Sequence, residues 1–363
     1  MVTKSADLKD FWTKLTVSPA MAHNMLLLAL ESGTTAMMWG NYGVGKTSVV
    51  YQLKETLKNP QLPPNQRFDG CVVINPSQTD IIDFKLPIPK KLDTGEMISQ
   101  FAYSELLPRE GRHIIFVDEI NTAPQSLQPT LYSLILEGRI GNYKLPDGCF
   151  RVAAGNREED QCAAQPMSNA LKDRLNLHMF VQPDKDSWGA WANLNRIRPE
   201  IQAWVQFSPH SSLQGHQKDD PTGGCTPRSL EALSKTMDTL HNRRSFDPAM
   251  ESRLITGTIG QAAASEFEGF LEIYRSQISL EEIIKSPTKA EIPKETSLLF
   301  CVAFSLAERM TVDNIDAVFK YLSRLPQSYT VLAIQTAMAR NKEMCLRTPQ
   351  IRDFITKNLH VII

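Results

Sequence analysis

Residues 40–47 read Gly-Asn-Tyr-Gly-Val-Gly-Lys-Thr, the G-x-x-x-x-G-K-[ST] pattern of a phosphate-binding loop. The apolar run Ala36-Met37-Met38-Trp39 precedes it, and Ser48-Val49-Val50-Tyr51-Gln52-Leu53 continues it as a helix. That context is what the chemistry requires. Gly40, Gly43 and Gly45 let the backbone approach a polyphosphate, with Asn41, Tyr42 and Val44 completing the loop. The helix that opens near Ser48 then turns unpaired N–H groups and a positive dipole end toward the phosphates. Lys46 reaches the β- and γ-phosphates, and the Thr47 hydroxyl is a ligand for Mg²⁺. At background glycine usage the pattern arises by chance in about one chain of this length in a hundred, so an ordinary glycine-rich turn is a poor account of it.

A second motif, His113-Ile114-Ile115-Phe116-Val117-Asp118-Glu119, is an apolar run without alternation. Such a run suits a strand buried on both faces of a parallel sheet. It ends in two carboxylates, at the strand edge where open α/β sheets bind ligands. Asp118 is placed to hold Mg²⁺ and Glu119 to polarise an attacking water, so one acid serves the metal and the next the nucleophile.

The 363 residues predict about two domains. The net charge of −1 supplies no electrostatic reason for nucleic acid or a membrane surface as partner. No apolar stretch approaches the roughly 20 residues of a membrane span. The N-terminal residues lack the apolar core of a signal peptide. The six cysteines, Cys71, Cys149, Cys162, Cys225, Cys301 and Cys345, are scattered, and we read them as reduced thiols of a cytoplasmic protein. His210 and His216 share a loop with no adjacent acid or thiol and read as solvated.

Residues 19–32 read as an amphipathic helix closed by Gly33. Five strands follow from the apolar runs at 36–39, 71–75, 113–117, 149–154 and 177–181, alternating with helices. The expected fold is therefore α/β, with a five-stranded parallel sheet over residues 1–208. Residues 76–110 read as irregular, because Pro87, Pro89 and the turn at Asp93-Thr94-Gly95 interrupt them. A hairpin is expected around 142–148. Residues 209–225, rich in Ser, Gly and Pro, read as a linker. Residues 226–363 read as a separate all-helical domain with long helices over 256–276 and 296–309.

On these residues the chain resembles the AAA+ ATPases, and within them the MoxR-like branch. The likeness runs from Trp39 to about Leu233. Asp118-Glu119-Ile120-Asn121-Thr122-Ala123-Pro124 is similar to that branch's extended second nucleotide motif. Ala154-Gly155-Asn156 resembles its sensor 1, Ala170-Leu171-Lys172-Asp173-Arg174-Leu175 its arginine-finger segment, and Thr226-Pro227-Arg228-Ser229 its sensor 2 at the start of the lid. The resemblance implies ATP with Mg²⁺, held by residues 40–48 together with Asp118. Glu119, Asn156, Arg174 and Arg228 would then act on the transferring phosphoryl group. Tyr42 stands where many relatives have proline. Lys172 and Arg157 compete with Arg174 for the finger role.

The resemblance further implies a homo-oligomeric ring, usually a hexamer, with nucleotide between subunits. Two family insertions correspond to roughly residues 78–108 and 138–150, and in this branch they handle a partner protein that often carries a von Willebrand factor A domain. A remodelling ATPase acting on protein is the leading expectation. A nucleic-acid-directed motor or translocase is the alternative, kept open by Lys90, Lys91, Arg109 and Arg112 but opposed by the interleaved Asp93, Glu96, Glu105 and Glu110. A nucleotide-gated scaffold with slow hydrolysis is a third, against which intact Glu119 and Asn156 weigh.

Overall fold

Parallel pairing runs through six strands, in the order β1 (Thr16–Val17), β10 (Leu177–Val181), β2 (Ala36–Trp39), β9 (Phe150–Gly155), β6 (His113–Val117) and β3 (Gly70–Ile74). The computed structural model describes residues 11–157, 167, 169–208, 213, 220–222, 224–243, 247–275 and 280–358. Within them the chain divides into two compact units, Met1–Pro183 and Asp184–Ile363. The P-loop AAA fold of the first unit matches the sequence expectation in all five strands. The sheet has one more, the edge strand β1, whose two residues are too short to leave a periodic signal.

The central strands β2, β9 and β6 are buried almost throughout, so both faces of the sheet must be covered. On one face, helices α1 (Pro19–Glu31) and α2 (Lys46–Leu57) bury Leu26, Val49, Val50 and Leu53 against Met38, Ile114 and Phe116. On the other, α4 (Gln128–Glu137) buries Leu131, Leu134 and Ile135 against Met37, Ile115 and Val117. The odd and even residues of β6 thus serve opposite cores. Ser18 caps α1 by accepting from the Met21 N–H, with Pro19 at the first helical position.

Residues 76–110 are not irregular. After a short helix α3 (Ile81–Phe84), strands β4 (Lys85–Lys91) and β5 (Met97–Tyr103) pair antiparallel along seven residues each. Pro87 and Pro89 do not break the ladder because their missing N–H groups belong on its outer side. A smaller hairpin, β7 (Arg139–Ile140) and β8 (Tyr143–Lys144), lies within the second expected insertion. The last described helix of the first unit is α5 (Asn169–Arg174).

The second unit is helical. It begins earlier than the sequence suggested. Helices α6 (Lys185–Leu194) and α7 (Pro199–Phe207), assigned above to the first domain, bury Trp188, Ile201 and Trp204 in one core with Phe267 and Phe304. Most of the expected linker, with His210 and His216, lies outside the described residues, as do Cys162 and residues 158–160; Leu213 and Cys225 within the linker stretch are buried in that same core. Helices α8 (Pro227–His241), α9 (Pro248–Ile259) and α10 (Gln261–Arg275) follow. The long helix expected over 256–276 is two, because Gly260 takes φ +83° and ends the first. Helices α11 (Leu280–Lys285), α12 (Thr296–Glu308), α13 (Ile315–Leu322), α14 (Gln327–Arg340), α15 (Lys342–Arg347) and α16 (Pro349–Lys357) complete the unit around Leu306, Tyr321, Ile334 and Ile351.

An ion-pair network ties α7 to α10 within this unit. Arg198 donates to Glu200 (2.6 Å), Asp238 (2.9 Å) and His241 Nδ1 (3.0 Å). The far side of that imidazole meets Glu251 at 2.8 Å, and Arg275 grips the same carboxylate at 2.7 and 3.0 Å. Burial pushes the Glu251 carboxyl up, but the bonds from Arg275 and His241 outweigh it and hold the folded pKa below the ordinary value of 4.5. A depressed carboxylate stabilises the fold above its unfolded pKa, and the gain disappears as pH falls through the lower folded value. Glu251→Gln should therefore cost about 1–3 kcal/mol at neutral pH. Urea titrations of both proteins at stepwise lower pH should show the gap closing in acid; a gap independent of pH would mean that the charge of Glu251 is not its source.

Candidate nucleotide site

The site is built where the strands end. In the register of the sheet, Trp39 lies beside Gly155 of β9 and Phe180 of β10, so the chain leaves β2 between two neighbouring strand ends. This is the carboxyl edge at which open parallel sheets bind ligands. Close packing governs the exit: a Cβ on Gly40 would lie 2.6 Å from the Val181 carbonyl oxygen. Gly45 takes φ +99°, a left-handed conformation that turns the loop into α2, whose first residue is Lys46. The first amides of that helix have no partner within it and face the loop.

Lys46 is only 7 % exposed, so its charge must be matched by nearby oxygens. It donates to Gly40 O (2.6 Å), Asn41 O (2.8 Å) and Asn156 Oδ1 (2.9 Å). The phosphate-loop cation and the sensor 1 amide are therefore in direct contact, although 110 residues separate them. Thr47 donates its hydroxyl proton to Asp118 Oδ2 at 2.8 Å. A hydroxyl and a carboxylate side by side at the phosphate end of a helix form the hard-oxygen donor set that Mg²⁺ takes together with phosphates. No group of three or more His, Cys, Asp or Glu among the described residues offers a metal site of its own. Thr47 and Asp118 would hold the ion, which there would neutralise charge on the β- and γ-phosphates.

The chain turns sharply after Asp118. Glu119 has φ 53° and ψ 43°, a left-handed conformation that costs a non-glycine residue on the order of 1–3 kcal/mol. The turn is held by bonds on both sides. Glu119 N–H donates to Asp118 Oδ1 (3.1 Å), and Thr122 Oγ1 donates to Glu119 O (2.8 Å).

Asn121, quoted above within the extended second motif, was assigned no role of its own from the sequence. It is 4 % exposed and bridges two motifs. Its Nδ2 donates to Asn156 O (2.6 Å), and its Oδ1 accepts from Asn156 N–H (3.3 Å). The paired bonds fix the backbone from which the Asn156 side chain reaches Lys46. Gly155 makes room for them, since a Cβ there would meet Asn121 Oδ1 at 2.7 Å. The available signal was an amide two residues after the acid pair, in a turn otherwise too apolar to need one.

The three candidate finger cations have different surroundings. The Arg157 guanidinium lies 4.1 Å from the Phe180 ring centroid and 5.6 Å from that of Trp12, in a cation–π stack. Trp12 also meets Trp39 edge-on at 5.7 Å. Arg174 closes α5, and its carbonyl accepts from the buried Thr35 hydroxyl at 2.7 Å, which ties the segment to the start of β2. Lys172 is exposed, and its carbonyl receives His178 Nε2 at 3.0 Å while the other ring nitrogen accepts from Trp39 Nε1 at 2.9 Å. Arg228 belongs to the second unit. It is exposed in the first turn of α8, which a capping box of Thr226 and Ser229 opens.

Residues 35–175 match the family model of the AAA domain, dynein-related subfamily. The match spans the phosphate loop, both acids, Asn156 and Arg174, so the matched segment contains every first-unit residue named above as a candidate. No curated protein matches the chain in sequence. Among solved structures, a candidate ATPase from Cytophaga hutchinsonii is similar at 17 % identity, over 80 % of this chain and 96 % of that one, with a TM-score of 0.35. The Thermotoga maritima RuvB Holliday junction branch migration motor is similar at 16 % identity, over 74 % and 80 %, with a TM-score of 0.39. NtrX from Brucella abortus in complex with ADP is similar at 15 % identity, over 99 % and 72 %, with a TM-score of 0.38. None of the helices in the described residues is long and apolar enough to cross a membrane.

The geometry separates the roles of Lys46 and Asp118. Lys46→Ala should abolish ATP binding in equilibrium titrations, because the phosphates lose their main side-chain cation. Asp118→Asn should retain metal-free nucleotide binding but lose most of the strengthening by Mg²⁺. Tight ATP binding by a folded Lys46→Ala protein would remove the assignment of the loop.

Proposed function

We propose that this protein is an Mg²⁺-dependent ATPase of the MoxR-like kind, which forms a ring and uses hydrolysis to remodel or activate a partner protein. The observation that carries the ATPase reading is the set of contacts joining Lys46 to Asn156 and Thr47 to Asp118, with Glu119 next in the chain. Glu119 is the general base that takes a proton from the attacking water. Asn156 orients that water or the γ-phosphate through an uncharged amide. Arg174 meets the nucleotide of a neighbouring subunit, and Arg228 is the candidate sensor 2 cation.

The protein-partner reading is supported by the β4–β5 hairpin. Leu86, Ile88, Met97 and Phe101 are 40–62 % exposed on it, which is more apolar surface than a self-contained hairpin needs. A nucleic-acid-directed motor would draw on Lys85, Lys90 and Lys91 of the same hairpin, but Asp93 and Glu96 sit at its tip. The partner class that the resemblance suggests is a protein with a von Willebrand factor A domain.

Glu119→Gln should bind ATP and hydrolyse it at least about a hundredfold more slowly, since general-base catalysis is typically worth about 10²–10⁴. The same variant should trap partner protein in an affinity capture. Near wild-type turnover would move the base elsewhere, and capture of nucleic acid in place of protein would reverse the choice of partner.

Arg174→Ala should fold and bind nucleotide but turn over poorly, because a finger supplied in trans contributes on the order of 10³–10⁵ in rate. Mixing it with Lys46→Ala subunits should restore part of the activity, since an intact loop then meets an intact arginine from the neighbour. Turnover proportional to monomer concentration, without rescue on mixing, would make Arg174 a structural arginine and leave Lys172 or Arg157 as the cation to test.

A further inference from the structure

The two edges of the β4–β5 hairpin are not equivalent. Leu92 N–H donates to Glu96 O (2.8 Å) at the tip, and Ser104 N–H donates to Phe84 O (3.2 Å) at the base. These bonds fix the parity of the ladder. Even-numbered residues turn their main-chain groups inward, toward the paired strand, and odd-numbered residues turn theirs outward. On β4 the outward positions are Lys85, Pro87, Pro89 and Lys91. Two of them have no N–H and the other two carry a charge, the usual protection of an edge against strand addition.

On β5 the outward positions are Met97, Ser99, Phe101 and Tyr103. The Tyr103 carbonyl is taken by the Arg109 guanidinium at 2.9 Å, which closes the base of the hairpin. The outward main-chain groups of Met97, Ser99 and Phe101 have no partner among the described residues. Met97-Ile98-Ser99-Gln100-Phe101-Ala102-Tyr103 contains no charge and no proline, and its first five residues are exposed. An exposed, uncharged edge of this kind is a ready template for another strand. One edge of the hairpin is guarded and the other is left open.

We propose that β5 is a docking edge, on which an extended apolar segment of a partner polypeptide adds as a third strand. This rests on the reading of the substrate as protein. The proline-guarded edge selects the occupant. Pairing from subunit to subunit around a ring would seat β5 of one copy on β4 of the next, where Pro87 and Pro89 offer no donors. Two β5 edges joined to each other would close a twofold pair that cannot propagate around a ring. A foreign strand meets neither obstacle. Main-chain bonds to Met97, Ser99 and Phe101 hold it regardless of sequence, and its side chains at alternate positions lie beside Met97 and Phe101 on one face and Ile98 on the other. The edge is about 20 Å long, enough for some six residues of extended chain.

The test uses the full chain bearing Glu119→Gln with ATP, and as probe a fluorescently labelled, reduced and carboxymethylated lactalbumin, which stays unfolded. Hydrogen exchange should show the Ser99 and Phe101 amides exchanging fast alone and slowly with the probe, while Ile98 and Gln100 are protected in both. Ser99→Pro deletes one outward donor directly opposite Pro89 and should weaken probe binding at least about tenfold. Protected Ile98 and Gln100 amides would show that its hairpin is intact. Ser99→Thr should bind like the parent, and in the chain with Glu119 restored Ser99→Pro should leave basal ATP turnover unchanged. Equal probe binding by Ser99→Pro, or no protection of Ser99 and Phe101, would overturn this edge while leaving a protein substrate in place. Slow exchange of those amides without probe, in a dimer, would show β5 paired with itself and overturn the proposal. No binding of the probe by any of these chains, with or without ATP, would overturn the edge and the protein-substrate reading together.

Discussion

A buried ammonium organises the first unit. Lys46 reaches three oxygens, two from the loop that precedes it and one from Asn156 at the end of another strand. A charge this buried is tolerable only while all three partners stay in place. The loop must therefore curl back over the helix, and β9 must end level with β2. Asn121 secures the second condition by bonding to both main-chain groups of Asn156. Nucleotide phosphates would enter a site whose cation is already positioned, which lowers the ordering cost of binding.

The acids are arranged by backbone geometry as much as by identity. Asp118 ends β6 and is engaged by Thr47, while Glu119 lies beyond a left-handed turn that its side chain does not favour. Strain of this kind persists where the surroundings over-determine a conformation, and here two hydrogen bonds and the following 3₁₀ turn do so. The turn gives adjacent carboxylates different surroundings. Under the proposed function, that difference would let one serve the metal and the other the water.

The two hairpins are joined to each other. Asn142 N–H donates to the Tyr103 hydroxyl at 2.9 Å, Tyr103 and Tyr143 pack at 5.6 Å, and Arg109 lies over the Tyr143 ring at 5.2 Å. The small hairpin follows α4, which itself follows the turn after Glu119. A continuous packed route thus leads from the acids to the base of the β4–β5 hairpin. It is a physical connection of the kind through which a nucleotide-dependent shift could be transmitted.

Local chemistry wrote much of this protein into its sequence. The glycine spacing of residues 40–45 and the apolar run ending in Asp118-Glu119 depend on near neighbours, so they are legible without a fold. Five of six strands follow for the same reason, because burial on both faces leaves continuous apolar runs. What tertiary structure alone decided involves partners far apart in the chain. The contact of Lys46 with Asn156, the paired hydrogen bonds between Asn121 and Asn156, and the stack of Arg157 on Trp12 and Phe180 all require the parallel order of the sheet. The β4–β5 hairpin was missed because proline at 87 and 89 reads locally as a breaker, whereas its effect depends on which side of a ladder its nitrogen faces. The start of the second unit at Asp184 was missed because α6 and α7 look like any amphipathic helices until Trp188 and Trp204 are seen to share a core with Phe267. Sequence specifies what each segment prefers; which partner satisfies that preference is settled only when distant segments compete for the same buried surface.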